Sequence, residues 1–230
     1  MKLIFLGDSL TWGEYGGNWV AEIARRCDQH EIINAGVGGN TIINLLRRVE
    51  SDVIDQTPDG VFVMVGGNDS ISHSQPLTRP YYKKSQQIPD GVVTPELFTT
   101  TYRELLTELQ LNHIQTWVGL APAEYSPTVV EHKKHYNALA ADVARSFGVP
   151  VLDLMAHLVP TNIKDRPPIN LPFIDRIGQR AASGWNDFEN ERRREGYTYT
   201  FDGLHLTPDA ALTVSDLVIK FLELSGCETK

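Results

Sequence analysis

The sequence predicts an α/β fold in which a parallel sheet is covered by helices on both faces. Two observations support this prediction. Short apolar runs alternate with longer amphipathic segments along the chain, and the short runs show little alternation between polar and apolar residues. Such strands are buried on both faces, as in parallel sheets. A chain of 230 residues lies within the range of one large domain, so we expect a single domain over residues 1–230.

Five short runs are candidate strands because they are rich in Val, Ile, Leu and Phe. They are residues 2–6, 31–34, 60–65, 115–120 and 149–152. Apolar residues at three- and four-residue spacing predict amphipathic helices between them. These residues are Ile42, Leu45, Leu46, Val49 and Val53 in one helix, and Tyr136, Leu139, Ala140, Val143 and Phe147 in another. Two further helix starts are predicted by a threonine N-cap, a proline and an acidic residue, at residues 94–96 and 207–209.

Two long segments interrupt this alternation, and we expect them to be loop insertions at about residues 70–93 and 155–200. The first is polar and contains Pro76, Pro80 and Pro89. The second carries a helical stripe of apolar residues, Ile174, Ile177, Ala181, Trp185 and Phe188. Loops of this length in a compact domain tend to be functional or disordered. The second segment is expected either to form a lid or wall of a substrate pocket or to pack on the core or a subunit contact.

The formal net charge of -8 disfavours binding to nucleic acid and to anionic membrane surfaces. No apolar run approaches the roughly 20 residues that span a bilayer, and the first residues do not resemble a signal peptide. Cys27 and Cys227 lack metal-ligand spacing, and we expect them to be free, packed thiols. By default we expect a cytoplasmic protein that acts on a small molecule. Its oligomeric state stays open, a homo-oligomer included.

Polar segments follow the candidate strands where ligands bind in open parallel sheets, at the carboxyl ends of the strands. Residues 7–10 read Gly-Asp-Ser-Leu, residues 34–41 contain a glycine turn, and residues 66–69 read Gly-Gly-Asn-Asp. Near the far end of the chain, residues 202–205 read Asp-Gly-Leu-His and precede the last helix. Together these four segments contain the parts of an acyl-transfer site.

Ser9 is the candidate nucleophile of that site. A serine hydroxyl is a weak nucleophile at neutral pH and needs an adjacent base. His205 is the candidate base because Asp202 lies three residues before it, where a tight turn lets the carboxylate reach the imidazole and fix its tautomer. Backbone N–H groups at Ser9 and in the glycine turn are candidate donors to the oxyanion, and the Asn68 side-chain amide is a third.

These residues resemble the four blocks of the SGNH (GDSL-type) hydrolase family, in the family's order. The resemblance covers nearly the whole chain, from residue 7 to residue 205. It implies a flavodoxin-like three-layer α/β/α sandwich with a five-stranded parallel sheet, and ester hydrolysis without a metal or organic cofactor. It also implies a catalytic triad of Ser9, Asp202 and His205. The implied oxyanion hole consists of Ser9 N–H, Gly39 N–H and the Asn68 side chain.

The choice of Gly39 over Gly36 or Gly38 rests on the same resemblance. The family has a run similar to Asn-x-Gly-x-x-Gly-x-Thr, and residues 34–41 here read Asn-Ala-Gly-Val-Gly-Gly-Asn-Thr. Asn40 replaces an aspartate that is common at that point of the family's run, which is a minor departure. This departure casts no doubt on the chemistry that the resemblance implies.

We therefore expect a serine esterase that hydrolyses small acyl, aryl or sugar esters through an acyl-enzyme. A non-catalytic ligand-binding module on the same fold is an alternative, which the presence of all four blocks disfavours. Transfer of the acyl group to an alcohol is a second alternative that the sequence does not separate from hydrolysis. A phosphate site at the glycine turn is disfavoured because Thr41 stands where a dinucleotide fingerprint has glycine. His132 and His135 have a spacing that suits a metal, but no carboxylate or cysteine partner is evident nearby.

Overall fold

The computed structural model of the protein describes residues 1–227, which contain a five-stranded, all-parallel sheet. The strand order is β2-β1-β3-β4-β5. The strands are β1 (Lys2–Gly7), β2 (Glu31–Gly36), β3 (Gly60–Met64), β4 (Gln115–Leu120) and β5 (Val151–Asp153). The predicted strands are confirmed, with β5 beginning at Val151 rather than at residue 149. Pro150 precedes it and has no N–H to donate to a neighbouring strand.

Helices connect the strands and flank the sheet. They are α1 (Ser9–Trp12), α2 (Trp19–Arg26), α3 (Ile42–Asp52), α4 (Gly67–Ser74), α5 (Arg79–Lys84), α6 (Pro95–Leu111), α7 (Pro127–Ser146), α8 (Leu154–His157), α9 (Leu171–Ala182), α10 (Phe188–Glu195) and α11 (Pro208–Phe221). Both predicted threonine caps are confirmed, since Thr94 and Thr207 accept hydrogen bonds from backbone N–H groups in the first turns of α6 and α11. Among residues 1–227, the helices are all too short or too polar to cross a membrane.

Side chains of the strands alternate between two separate cores. Ile4 and Leu6 of β1 point to one core, which also contains buried residues of α3, α6 and α7. Leu3 and Phe5 point to the other core, together with buried residues of α2 and α11. Helices therefore cover both faces of the sheet, which confirms the predicted three-layer α/β/α sandwich.

The segment at residues 70–93, which we expected to be a loop insertion, is largely helical. It contains the end of α4, the whole of α5 and 3-10 turns at Pro76–Thr78 and Pro89–Gly91. Its three prolines each lie in the first turn of one of these short helices. A first-turn residue has no intrahelical acceptor for its N–H, so proline is tolerated there. The prolines that indicated a loop therefore begin helices.

Cys27 and Cys227 form a disulfide, so the expectation of free thiols is wrong. The two cysteines are 200 positions apart in the sequence. Helices α2 and α11 pack against each other, and Cys27 is the C-cap residue of α2. The chain that follows α11 can therefore return to the end of α2. This contact arises from tertiary packing, which the spacing of the two residues does not encode.

Candidate active site

Ser9 lies at a tight junction between the interior strand β1 and the short helix α1. Asp8 is the N-cap residue of α1, and its carboxylate accepts the Leu10 N–H at 3.0 Å. Gly7 leaves no room for a side chain, because a Cβ there would lie 2.6 Å from the carbonyl oxygen of Met64 in β3. The close approach of strand and helix holds Ser9 at the carboxyl end of β1, where sequence reasoning placed it.

A hydrogen-bonded chain joins Ser9, His205 and Asp202. The Ser9 Oγ lies 3.0 Å from His205 Nε2, and His205 Nδ1 lies 2.8 Å from Asp202 Oδ2. The other carboxylate oxygen of Asp202 accepts the backbone N–H groups of Leu204 and His205 at 2.9 and 2.8 Å. These local bonds form the tight turn that we expected, and they fix the carboxylate against the imidazole.

The burial and charge of this pair shift both of their pKa values. Asp202 and His205 are 7% and 5% exposed. Burial opposes ionisation of the carboxyl, but the charge and hydrogen bonds of His205 outweigh it and lower the pKa of Asp202. Burial also opposes protonation of the imidazole, yet the charge and hydrogen bond of Asp202 outweigh it and raise the pKa of His205. A general base acts in its neutral form, so activity through His205 is expected to fall as the pH drops through this raised pKa.

The loop that carries Asp202 is held by a carboxylate that sequence reasoning missed. Glu124 is 1% exposed, and it accepts hydrogen bonds from the three backbone N–H groups of residues 198–200. The Thr200 hydroxyl donates to Glu124 and accepts the Gly203 N–H at 3.0 Å. Glu124 follows β4 and no residue spacing links it to the Asp-x-x-His turn, so the sequence contains no signal for this contact.

Ser9 and Gly39 present free backbone donors to one cavity. Within residues 1–227, neither the Ser9 N–H nor the Gly39 N–H donates a hydrogen bond, and both residues line the cavity. Gly39 has a φ of +79°, which favours glycine. A Cβ at this position would also lie 2.1 Å from the Tyr81 hydroxyl. The arrangement supplies two unused N–H groups of the kind that stabilise an oxyanion.

Asn68 lies in the first turn of α4 and lines the same cavity. Its side-chain amide donates to the carbonyl oxygen of Asn40 at 3.0 Å. The Tyr82 hydroxyl donates to the side-chain oxygen of Asn68, Oδ1, at 2.9 Å, which fixes the orientation of the side-chain amide. The amide nitrogen also lies 3.5 Å from Asp8 Oδ2, which is a long hydrogen bond, so its second hydrogen is the one that a ligand in the cavity could accept. Tyr82 lies in the segment expected to be a loop, and its role was not predicted.

The Asn40 side chain ties the glycine turn to the rest of the site. Its Oδ1 accepts a hydrogen bond from Arg48 Nε at 2.9 Å. Another guanidinium nitrogen of Arg48 donates to the carbonyl oxygen of Gly7 at 2.9 Å. Arg48 thereby links the glycine turn to the end of β1. The asparagine at position 40 is compatible with this bond, so its departure from the family's aspartate leaves the turn supported.

The cavity beside these residues has a volume of about 590 Å³. Much of its wall is apolar, and one side is formed by α9 through Phe173, Ile174, Ile177 and Ala181. Helix α9, near the middle of the long segment at residues 155–200, is therefore a wall of the cavity. This agrees with the first of the two alternatives for that segment.

The second half of the segment packs behind the proposed base. The rings of Trp185 and Phe188 contact those of Tyr15 and Phe201. Tyr15 and Phe201 in turn contact the His205 ring, with centroid distances of 5.1 and 6.2 Å. The apolar stripe predicted from the sequence therefore has two roles. Its first residues, on α9, line the cavity, and its last residues, Trp185 and Phe188, pack against the rings beside His205.

The remaining histidines lie apart from the proposed triad. His73 lies in α4, where its ring contacts that of His132 with a centroid distance of 5.9 Å. His132 and His135 lie on α7. No group of three or more His, Cys, Asp or Glu residues in the described part of the chain could hold a metal ion.

Known proteins resemble this chain in sequence and in fold. The model of the GDSL-like lipase/acylhydrolase family matches residues 5–211. An acetylxylan esterase of Geobacillus stearothermophilus is 35% identical over 86 residues, which cover 30% of this chain and 39% of that protein. The uncharacterized lipoprotein YqeF of Bacillus subtilis (strain 168) is 25% identical over 165 residues, 66% of this chain and 67% of that protein. The crystal structure of the acetyl xylan esterase AlAXEase has a TM-score of 0.66 and 22% identity, covering 96% of this chain and 98% of the other.

Proposed function

Because the chain belongs to the GDSL-like lipase/acylhydrolase family and is thus a serine enzyme acting on ester bonds, we propose that Ser9, His205 and Asp202 form its catalytic triad. The observation that carries this proposal is the continuous hydrogen-bonded chain from Asp202 through His205 to the Ser9 hydroxyl. The geometry matches the roles of nucleophile, base and orienting carboxylate.

In the proposed reaction, the Ser9 proton passes to His205 Nε2 as Oγ attacks the ester carbonyl carbon. The carbonyl oxygen becomes an oxyanion that accepts hydrogen bonds from Ser9 N–H, Gly39 N–H and the Asn68 amide. His205 then gives its proton to the departing alkoxide, which leaves an acyl-enzyme. His205 next takes a proton from water as the water attacks the acyl carbon. As the second tetrahedral intermediate collapses, the bond between Oγ and the acyl carbon breaks, His205 returns its proton to Oγ, and the acid is released.

The test of the nucleophile is labelling with a fluorophosphonate probe, which bonds to an activated serine and expels fluoride. Peptide mass mapping is expected to find the adduct on Ser9, and labelling is expected to slow as the pH falls through the raised pKa of His205. An adduct on another serine, with Ser9 unmodified, would refute the assignment.

Replacement of Asn68 by alanine is expected to lower kcat by about 10² to 10³, the loss seen when one side-chain oxyanion donor is removed. Tyr82→Phe is the matched variant, because it keeps the amide and removes only the hydroxyl that orients it. Its expected loss in kcat is smaller, about tenfold. Steady-state kinetics on p-nitrophenyl esters measures both. If Asn68→Ala were as active as the unmodified enzyme, Asn68 would not be part of the oxyanion hole.

We propose that the substrate is a small-molecule ester whose acyl or aryl group is larger than acetyl. The relatives include proteins named acetylxylan esterases, which makes acetylated sugars the other candidates. The cavity of about 590 Å³ and its apolar wall on α9 favour the larger group, because an acetyl group would leave much of that surface unburied.

The value of kcat/KM is expected to rise by about fourfold per methylene from acetate to hexanoate, since each buried CH₂ contributes about 0.8 kcal/mol. Ile177 lines the cavity, so Ile177→Trp is expected to fill it and reverse the preference toward acetate. Gln179→Trp is the control, with the same substitution at an exposed position of α9. A series of p-nitrophenyl esters measures the three profiles. Preference of the unmodified enzyme for acetate would contradict the proposed substrate class and leave the triad unaffected.

We also propose that residues 1–230 form a single domain. The cytoplasmic location stays a prediction. The disulfide between Cys27 and Cys227 is of a kind that persists mainly in oxidising compartments. The disulfide is therefore an observation against a cytoplasmic location, and it was not evident from the sequence alone.

A further inference from the structure

Lys133 is a buried cation beside the proposed oxyanion hole, and the mechanism above does not use it. It lies on α7, is 2% exposed and lines the cavity. Its Nζ is buried and has no hydrogen-bond partner within residues 1–227. Burying an ammonium group costs free energy unless nearby negative charge stabilises it. The charged groups around Lys133 therefore indicate its role.

The nearest such charges are the carboxyl groups of Asp8 and Asp69, both almost fully buried. Asp8 directly follows β1, and Asp69 lies in the first turn of α4, two residues after Gly67. A Cβ at Gly67 would lie 3.5 Å from Asp8 Oδ2 and 3.9 Å from Lys133 Nζ. Asn68 directly follows Gly67 and precedes Asp69. The ammonium therefore lies close to the backbone that carries the Asn68 oxyanion donor.

Each of the two carboxyl groups holds one of the loops that carry the backbone donors. Asp8 Oδ1 accepts the Leu10 N–H at 3.0 Å, directly after Ser9. Asp69 Oδ1 accepts the Ile42 N–H at 2.9 Å, at the start of the helix that follows the Gly39 turn. These bonds are stronger when the accepting group is ionised. The charge on each carboxyl thus affects how firmly a donor loop is held.

We propose that Lys133 is a positioning residue of the oxyanion hole, acting through Asp8 and Asp69 on the loops that carry Ser9 and Gly39. The inference rests on the proposed oxyanion hole. Lys133 touches neither the substrate nor the reacting atoms in this role. Its ammonium stabilises two carboxylates that would otherwise tend to take up protons, and they in turn fix the direction of the N–H donors.

The pKa values of the cluster agree with this role. Burial raises the pKa of Asp69 to about 7 and also raises that of Asp8, while Lys133 opposes both shifts. Burial lowers the pKa of Lys133 to about 8, against the pull of the two carboxylates. The ammonium is therefore present below about pH 8 and is lost as the pH rises through that value. Other groups that act electrostatically on the two carboxyl groups or are acted on by them are His205, Arg48, Tyr82, Tyr102 and Tyr136.

The first test is the pH profile of kcat for the unmodified enzyme and for Lys133→Met. At neutral pH the variant is expected to lose about tenfold in kcat, with KM changed by less than about twofold, because the oxyanion is bound only in the transition state. This loss is expected to shrink as the pH rises, because the two carboxyl groups, whose pKa values rise further without the ammonium, ionise again at higher pH. Both enzymes should retain the acid limb that belongs to His205. Lys134→Met is the control, since Lys134 is the next residue on α7 and is exposed.

A double-mutant cycle with Asp69→Asn separates positioning from independent effects. If Lys133 acts through Asp69, the double variant loses about as much kcat as the more severe single variant. The double variant also removes one of the two carboxyl groups that Lys133→Met leaves without their cation, which makes a folding defect less severe than in Lys133→Met alone. Multiplicative losses in kcat, or a loss in Lys133→Met that is the same at every pH, would overturn the inference. Failure of the proposed function would look different, since the unmodified enzyme would then neither turn over esters nor carry label on Ser9.

Discussion

Replacement of Ser9 by alanine is expected to lower kcat for p-nitrophenyl esters by about 10⁶-fold, because the members of a triad act as a unit. Loss of the Oγ removes the only atom that could form the acyl-enzyme in the proposed mechanism. A residual rate of about 10³ over the reaction in water should persist, because the oxyanion donors and the cavity remain. Steady-state kinetics, with the same protein treated with a fluorophosphonate, measures both the loss and the absence of label.

The loss of activity in Ser9→Ala can be assigned to the missing hydroxyl only if the variant remains folded. Within residues 1–227, the Ser9 hydroxyl is hydrogen-bonded only to His205, so Ser9→Ala should unfold at nearly the same temperature as the unmodified protein. Ser85→Ala is the matched control, with the same change at an exposed serine. His205→Ala should cost about as much as Ser9→Ala, and the double variant should lose little more. A Ser9→Ala protein that keeps a tenth of the activity or more would exclude Ser9 as the nucleophile.

The residues proposed to do the chemistry were predicted from the sequence because their placement is encoded locally. Ser9 follows a strand and a capping aspartate, and the Asp8 carboxylate closes its turn within two residues. His205 is held to Asp202 by bonds that span three residues. The sheet was predictable for a related reason, since strands buried on both faces produce continuous apolar runs. Each of these features can be read within a short window of sequence.

The residues that support the site were missed because their contacts join distant parts of the chain. Glu124 holds residues 198–200, and Tyr82 orients Asn68 across 14 positions. Lys133 meets Asp8 and Asp69 only after α7 has packed beside the sheet. A buried polar residue that is satisfied by tertiary contacts has no characteristic spacing. The prediction of free thiols at Cys27 and Cys227 was wrong for the same reason.

Replacement of Asp202 by asparagine is expected to lower kcat by about 10⁴-fold while leaving the loop intact. The asparagine carbonyl oxygen can still accept the backbone N–H groups of Leu204 and His205, as Asp202 Oδ1 does. Its NH₂ group would then face His205 Nδ1 and favour the tautomer with the proton on Nε2. That proton would point at the Ser9 Oγ, where the base needs a lone pair. Steady-state kinetics measures the loss, and the fluorophosphonate labelling rate should fall in parallel.

The same variant should move the acid limb of the activity to lower pH. The charge of Asp202 contributes to the raised pKa of His205, so its removal lets burial shift that pKa downward.

Asp202 and His205 affect the pH dependence of the unfolding free energy in opposite directions. Asp202, with its lowered pKa, stabilises the fold above its unfolded pKa, and this contribution is lost as the pH falls through the folded value. His205, with its raised pKa, stabilises the fold below its unfolded pKa, and this contribution is lost as the pH rises through the folded value. Both contributions depend on one ion pair, so Asp202→Asn should flatten the dependence of the unfolding free energy on pH at both ends. A variant with an unmoved acid limb would show that a group other than His205 controls the activity.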